Sequence, residues 1–93
     1  MEVRFYIDPE TRRPHIHRHH VEEHEVREAL RSPLEVRRGS EGAHVAIGCT
    51  IAGRYIRVVF VPDPGYESAF VITAYELGPR ALWGLRRRQR RKR

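Results

Sequence analysis

The sequence predicts an α+β domain, and three observations carry the prediction. Val45, Ile47, Cys49 and Ile51 alternate with smaller or polar residues, and Ile56, Val58 and Phe60 do so again after a short break, the period of two of paired strands. Ala69 to Leu77 follows as a further strand-like run. Upstream, Val26, Ala29 and Leu30 recur at i, i+3, i+4 spacing, the apolar stripe of a helix that covers one sheet face.

At 93 residues the chain is one domain. Apolar residues make up 40% and charged residues 32%, enough to build one core. The elements read in order as follows. Val3, Phe5 and Ile7 alternate with Arg4 and Tyr6 as a short strand that Asp8-Pro9 ends. Glu10 to Pro14 is a charged turn. Val21 to Arg31 is helical, with Glu22, Glu23 and Glu25 in its first turns and Arg27 and Arg31 in its last, as the helix dipole favours. Ser32-Pro33 stops it, because the residue before proline avoids the α region. Leu34 to Arg38 reads as a short strand and Gly39 to Gly42 as a turn.

Taking Ala52 and Gly53 as a two-residue hairpin loop puts Cys49 opposite Ile56, Ile47 opposite Val58 and Val45 opposite Phe60. After the breaker-rich stretch Pro62 to Ser68, pairing Val61 with Ala69 puts Phe60 opposite Phe70, Val58 opposite Ile72 and Ile56 opposite Ala74. The apolar sets then share one face. The other face carries Tyr55, Arg57, Thr73 and Tyr75, with Gly48 leaving room beside Arg57. Gly78-Pro79 ends the last strand. Arg80 to Arg86 forms a helical turn through which Leu82 and Leu85 pack back, with Trp83 beside them. The expected domain is residues 1–85, an antiparallel sheet of about four strands with one packed helix, followed by a flexible arginine-rich tail over 86–93.

The formal charge of +6 is unevenly placed. Residues 86–93 hold seven basic groups, and the rest of the chain has eleven basic against twelve acidic groups. All the basic residues except Lys92 are arginine, whose planar fork grips phosphate and stacks on bases. A terminal block of this kind reads either as a solvated end or as a nucleic-acid arm, its grip set by phosphate contacts and salt. Arg80, Arg86, Arg87, Arg88, Arg90 and Arg91 are the RNA-binding candidates in this region, joined by Tyr55 and Thr73 on the sheet. One cysteine, Cys49, cannot close an intramolecular disulfide, and no apolar stretch resembles a signal peptide or membrane span. The cytoplasm is the expected compartment, with no membrane partner.

The face of Tyr55, Arg57, Thr73 and Tyr75 has two readings. It is a solvated antiparallel face, for which these residue types are suited. Or it is a phosphate-binding face, with Arg57 neutralising charge and the tyrosines stacking or moving protons. His15, His17, His19, His20 and His24 fall within ten residues. They admit a metal site, an acid–base histidine or a hydrated loop; no cysteine or carboxylate spacing completes a zinc pattern, and no metal or other cofactor is assigned. Phosphate-cradling loops, nucleophile elbows, zinc-protease pairs and dinucleotide fingerprints are absent from the sequence.

Arg18-His19-His20-Val21-Glu22-Glu23-His24-Glu25-Val26 resembles the "Lys-His-Gly-Val-Ser-x-x-Glu-Val/Ala" helix start of BrnT-like toxins and related small bacterial domains of unknown function. Arg57-Val58-Val59-Phe60 and Phe70-Val71-Ile72-Thr73-Ala74-Tyr75 resemble their paired strands, in the same order, so the likeness spans roughly residues 14–80. What this resemblance implies is a RelE-like fold and a toxin–antitoxin endoribonuclease that needs no metal. In it the ribose 2′-hydroxyl attacks the adjacent phosphate of mRNA, free or on the ribosome, and a small antitoxin protein covers the face. His19 matches the family histidine and Arg57 the strand arginine; Tyr75 stands where these toxins often carry arginine. The catalytic candidates are therefore His19, Arg57 and Tyr75. Two alternatives stand beside this one: a non-catalytic RNA-binding or ribosome-associated module, and a protein-interacting partner that pairs through its sheet edge. Self-association into a homo-oligomer is compatible with each.

Overall fold

Five strands and two helices form the domain in the computed structural model, which describes residues 2–91. The strands are β1 (Glu2–Phe5), β2 (Glu35–Arg38), β3 (His44–Cys49), β4 (Tyr55–Pro62) and β5 (Ser68–Glu76). The helices are α1 (Glu23–Arg31) and α2 (Pro79–Arg91). A 3-10 turn, His15–His19, precedes α1. The sheet order is β1-β5-β4-β3-β2. All neighbours are antiparallel except β1 and β5, which run parallel.

The fold is α+β as the patterning predicts, with three corrections. The sheet has five strands rather than about four, and it is mixed. A parallel pair leaves no hairpin turn in the sequence, so the partner of β1 has no local signal. There are two α-helices rather than one. The segment read as a flexible tail continues α2 through Arg91, while Lys92 and Arg93 lie outside the described residues.

The hairpin registers also differ from expectation. The β3–β4 loop has three residues, Ile51, Ala52 and Gly53. The Gly53 N–H donates to the Thr50 carbonyl at 2.9 Å and the Thr50 N–H to the Arg54 carbonyl at 2.8 Å. Gly53 takes φ of +93°, the left-handed residue that closes such a loop. The extra residue moves the register by one, so that Cys49 faces Tyr55, Ile47 faces Arg57 and Ala46 faces Val58. A one-residue slip turns a whole strand over. Ala46 and Gly48 therefore face α1, while Ile47 and Cys49 share the opposite face with Tyr55 and Arg57. Gly48, read as leaving room beside Arg57, instead lets α1 settle on the sheet. Between β4 and β5 the register shifts at Val59/Phe60, with Ile72 the unpaired extra residue. Arg57 thus faces Tyr75, Val59 faces Thr73 and Phe60 faces Val71.

The main core lies between α1 and the first face. Val26, Ala29 and Leu30 from the helix meet Ala46, Ile56, Val58, Phe60, Ala69, Val71 and Ala74, with Val3 and Phe5 alongside. Glu25 caps the helix start by accepting the Glu22 N–H at 2.9 Å. The carboxylate of Glu25 also takes Arg54 Nη1 at 2.8 Å on each oxygen, and Arg54 Nη2 reaches Glu76 at 3.2 Å. Arg54 so ties the first turn of α1 to the end of β5. A smaller cluster on the second face packs Leu85 of α2 on Ile47 and Leu77, flanked by Tyr55, Ala81 and Leu82. No helix among the described residues is long and apolar enough to cross a membrane.

Candidate nucleic-acid interface

The second face of the sheet is only partly covered. Strand β1 pairs with β5 over Ser68 to Val71, and the 3-10 turn lies against β5 beyond that point. Helix α2 covers the Ile47 and Leu77 end. Arg57, Thr73 and Tyr75, all half-buried, sit on the strands between.

The 3-10 turn is held by a polar clasp. The buried Asp8, 5% exposed, accepts from Arg18 Nε and lies 3.3 Å from His15 Nδ1. The Arg18 hydrogen bond, with the Glu10 N–H at 2.9 Å, holds the Asp8 carboxyl far below the usual carboxylate range. Ile16 anchors the turn in the main core at 1% exposure. His20, at φ +59°, ends it and directs the chain into α1.

This anchoring lines up four rings. Tyr6 and His15 have centroids 6.1 Å apart, His15 and His19 5.6 Å, and His19 and Tyr75 5.9 Å. At the end of the row the Arg57 guanidinium carbon stands 5.8 Å from the Tyr75 ring centre. The three catalytic candidates from the sequence, His19, Arg57 and Tyr75, are therefore neighbours, although His19 is more than 35 residues from either of the others in the chain. Thr73 is on the same face next along β5.

Arg57 differs from four arginines on and around the sheet that carboxylates hold. Arg4 pairs with Asp63 at 2.9 Å, Arg18 with Asp8, Arg54 with Glu25 and Arg88 with Glu35. Among the described residues Arg57 makes no ion pair, and neither its buried Nε nor the buried Thr73 Oγ1 has a hydrogen-bond partner. A buried donor without a partner is costly and calls for an explanation in a native site. Both atoms belong to side chains on the face that carries Tyr75.

The remaining RNA-binding candidates separate into groups. Tyr55 lies at the border of the α2 packing, with Arg86 6.0 Å above its ring. Arg87 stands 4.8 Å over the Trp83 ring. Arg88 turns the other way, into Glu35 at 2.5 and 3.0 Å. It is a fastening of α2 to β2. Arg80, Arg90 and Arg91 are exposed on the helix surface. Sequence reasoning missed Tyr6 and named His15 only within the histidine cluster; the tertiary fold alone brings the two into the ring row. It also set Trp83 beside the packing residues Leu82 and Leu85 without giving it a role; that side chain is 59% exposed. The helical spacing held the signal: with Leu82 and Leu85 inward, a residue one step past Leu82 is turned about 100° around a helix of 3.6 residues per turn.

The fold splits the histidine cluster, keeping His15 and His19 together in the ring row and turning His17 to the start of α1. His17 Nε2 meets Glu23 at 3.0 Å, His15 meets Asp8 and His19 meets Tyr75. Among the described residues no group of three or more histidine, cysteine or carboxylate side chains is placed to hold a metal ion.

Compared with protein-family profiles, curated proteins and solved structures, the chain finds no match.

Proposed function

We propose that the second face of the sheet is an RNA surface and that the protein is a metal-independent endoribonuclease of the toxin type that its motifs resemble. The observation that carries this reading is the position of Arg57. It is half-buried, free of any carboxylate among the described residues, and beside Tyr75, whose ring also meets His19. Such a cation is suited to the charge that builds on a phosphate in the transition state.

In the proposed reaction the ribose 2′-oxygen forms a bond to the adjacent phosphorus and the bond from phosphorus to the 5′-oxygen breaks. The 2′-hydroxyl proton leaves to a base and the 5′-oxygen receives a proton. The products are a 2′,3′-cyclic phosphate and a 5′-hydroxyl. Arg57 and the Thr73 hydroxyl contact the phosphoryl oxygens, and His19 and Tyr75 are the two groups in reach for proton transfer. The substrate is mRNA, free or on the ribosome, and the protein partner is a small antitoxin that covers the same face.

A second reading, an RNA-binding module that does not cleave, is favoured by Tyr75, which stands where the toxins it resembles often have arginine. One experiment separates the two. Wild type and Arg57→Ala are incubated with a defined mRNA in the presence of a chelator, and the ends are mapped. Cyclic-phosphate ends made by the wild type and lost in a folded Arg57→Ala support the ribonuclease. RNA that is bound but uncut by the wild type selects the binding module. Neither cutting nor binding removes both readings.

A further inference from the structure

Helix α2 carries a feature that the chemistry at Arg57 does not use. Its thirteen residues, Pro79–Arg91, include six arginines and no acidic residue. Arg88 is spent on Glu35, but the others are not held by carboxylates among the described residues. In the middle of this charge stands Trp83, an indole that is 59% exposed although a helix of this composition has no need of an apolar side chain in water. Arg87 lies over one region of the ring at 4.8 Å. On the side towards the sheet, Trp83, Tyr55, Arg86 and Arg90 line an open groove of about 500 Å³, with Leu34 and Gln89 also contributing. Aromatic rings and guanidinium groups therefore alternate along one surface, from Trp83 through Arg86 to Tyr55. Tyr55 is two residues before Arg57 on the same face of β4, about 7 Å along a strand.

We propose that this groove is a stacking platform for single-stranded nucleic acid. An unpaired base lies on Trp83, and Arg86, Arg87 and Arg90 hold the flanking phosphates. The charge favours a polyanion. The exposed indole favours one that has flat apolar faces to offer. A duplex keeps its bases stacked inside and presents phosphates alone, so it would leave Trp83 unused. An acidic peptide would satisfy the arginines but has no base to place on the ring. The platform rests on the reading of this surface as an RNA surface and not on the cleavage step.

The test uses the full chain and a fluorescein-labelled twelve-nucleotide oligoadenylate with 2′-O-methyl groups, which has no 2′-hydroxyl to attack. Binding is read by anisotropy, and contact with the indole by quenching of Trp83, the chain's single tryptophan. The expected result is saturable binding with quenching, a loss of roughly tenfold or more in affinity for Trp83→Ala, and recovery of part of it in Trp83→Phe. A same-length duplex should bind without comparable quenching. Equal affinity for wild type and a folded Trp83→Ala would overturn the platform. So would equal quenching by the duplex, or displacement of the oligonucleotide by poly-glutamate at matched charge. If the wild type cuts no RNA, Trp83-dependent binding still upholds the platform. If Arg57-dependent cutting is seen and Trp83→Ala changes nothing, the platform alone falls.

Discussion

A Cβ atom placed on Gly48 would lie 2.2 Å from the carbonyl oxygen of Ala29, because α1 crosses β3 with backbone against backbone at that point. The clash involves main-chain atoms of a packed helix, which cannot swing aside. Gly48→Ala should therefore destabilise the protein by about 1–3 kcal/mol or more, the range for overpacking a core. A lower urea midpoint at unchanged slope would show it. A midpoint equal to the wild type's would mean that α1 does not approach β3 this closely.

Glu25 has two tasks, the cap on Glu22 and the pair with Arg54. Glu25→Ala removes both and leaves Arg54 with Glu76 and the His20 carbonyl. We expect a loss of about 1.5–3 kcal/mol, the range for hydrogen bonds to charged groups. Arg54→Ala should cost less, since the capping bond survives. Chemical denaturation of the two variants gives the order.

Arg57→Met should separate stability from function. It removes an N–H that has no partner among the described residues and keeps an unbranched apolar stem. Its melting temperature should equal or exceed that of the wild type. Under the ribonuclease reading, cleavage should fall by about 100-fold or more. A marked drop in melting temperature would make Arg57 a structural residue.

Arg88 and Arg87 are adjacent and should behave oppositely. Arg88→Ala loses the Glu35 contact that fastens α2 to β2 and should lower the melting temperature. Arg87→Ala should leave melting unchanged, weaken RNA binding and reduce the slope of log affinity against log salt by roughly one. Differential scanning fluorimetry and a salt titration check both halves.

Among the described residues, three carboxyls have lowered pKa values in the folded protein. Arg18 hydrogen bonding does this for Asp8, and the Ser68 hydroxyl, then Arg4, does it for Asp63. For Glu25, burial pushes the pKa up but is outweighed by the Glu22 N–H and Arg54. A carboxyl lowered on folding contributes stability that is complete above its unfolded value, about 4, and is lost as pH falls through the folded value. The stability these carboxyls contribute should be complete above about pH 5 and fall progressively below it, read as the acid limb of a melting-temperature profile. Asp8→Asn should start lower at neutral pH and fall less steeply in acid.

Much of the fold is legible in the residues, for particular reasons. The helix at Val26, Ala29 and Leu30 is readable because it is buried on one side and wet on the other. Tyr55, Arg57, Thr73 and Tyr75 share a face as the alternation predicts, since the registers it misplaced on β5 differ by two there and keep the parity. Strand β3 misled because both its faces are packed near Ile47, one by α1 and one by α2, so alternation cannot say which side is which. The loop length then decides, and Gly53 at positive φ is compatible with either length. The bulge at Ile72 is invisible in the sequence for a similar reason, as all four residues Phe70 to Thr73 suit a strand. For the candidate site, Arg57 and Tyr75 are two strands' worth of alternation. His19 reaches them only through the Asp8–Arg18 clasp, a contact between loops that no periodicity records.

The parallel seating of β1 on β5 has a consequence for how the chain is made. Val3 and Phe5 leave the ribosome early, but the strand they must join, Ser68 to Val71, is synthesised about sixty residues later. At 5–20 residues per second the N-terminal strand waits roughly 3–13 s before its neighbour exists. The β3–β4 hairpin closes over a three-residue loop and has no such delay. Newborn chains should therefore pass through a stage in which the hairpin and α1 have met, β4 still has a bare edge, and two apolar side chains of β1 are free to be captured by a chaperone or by another nascent chain.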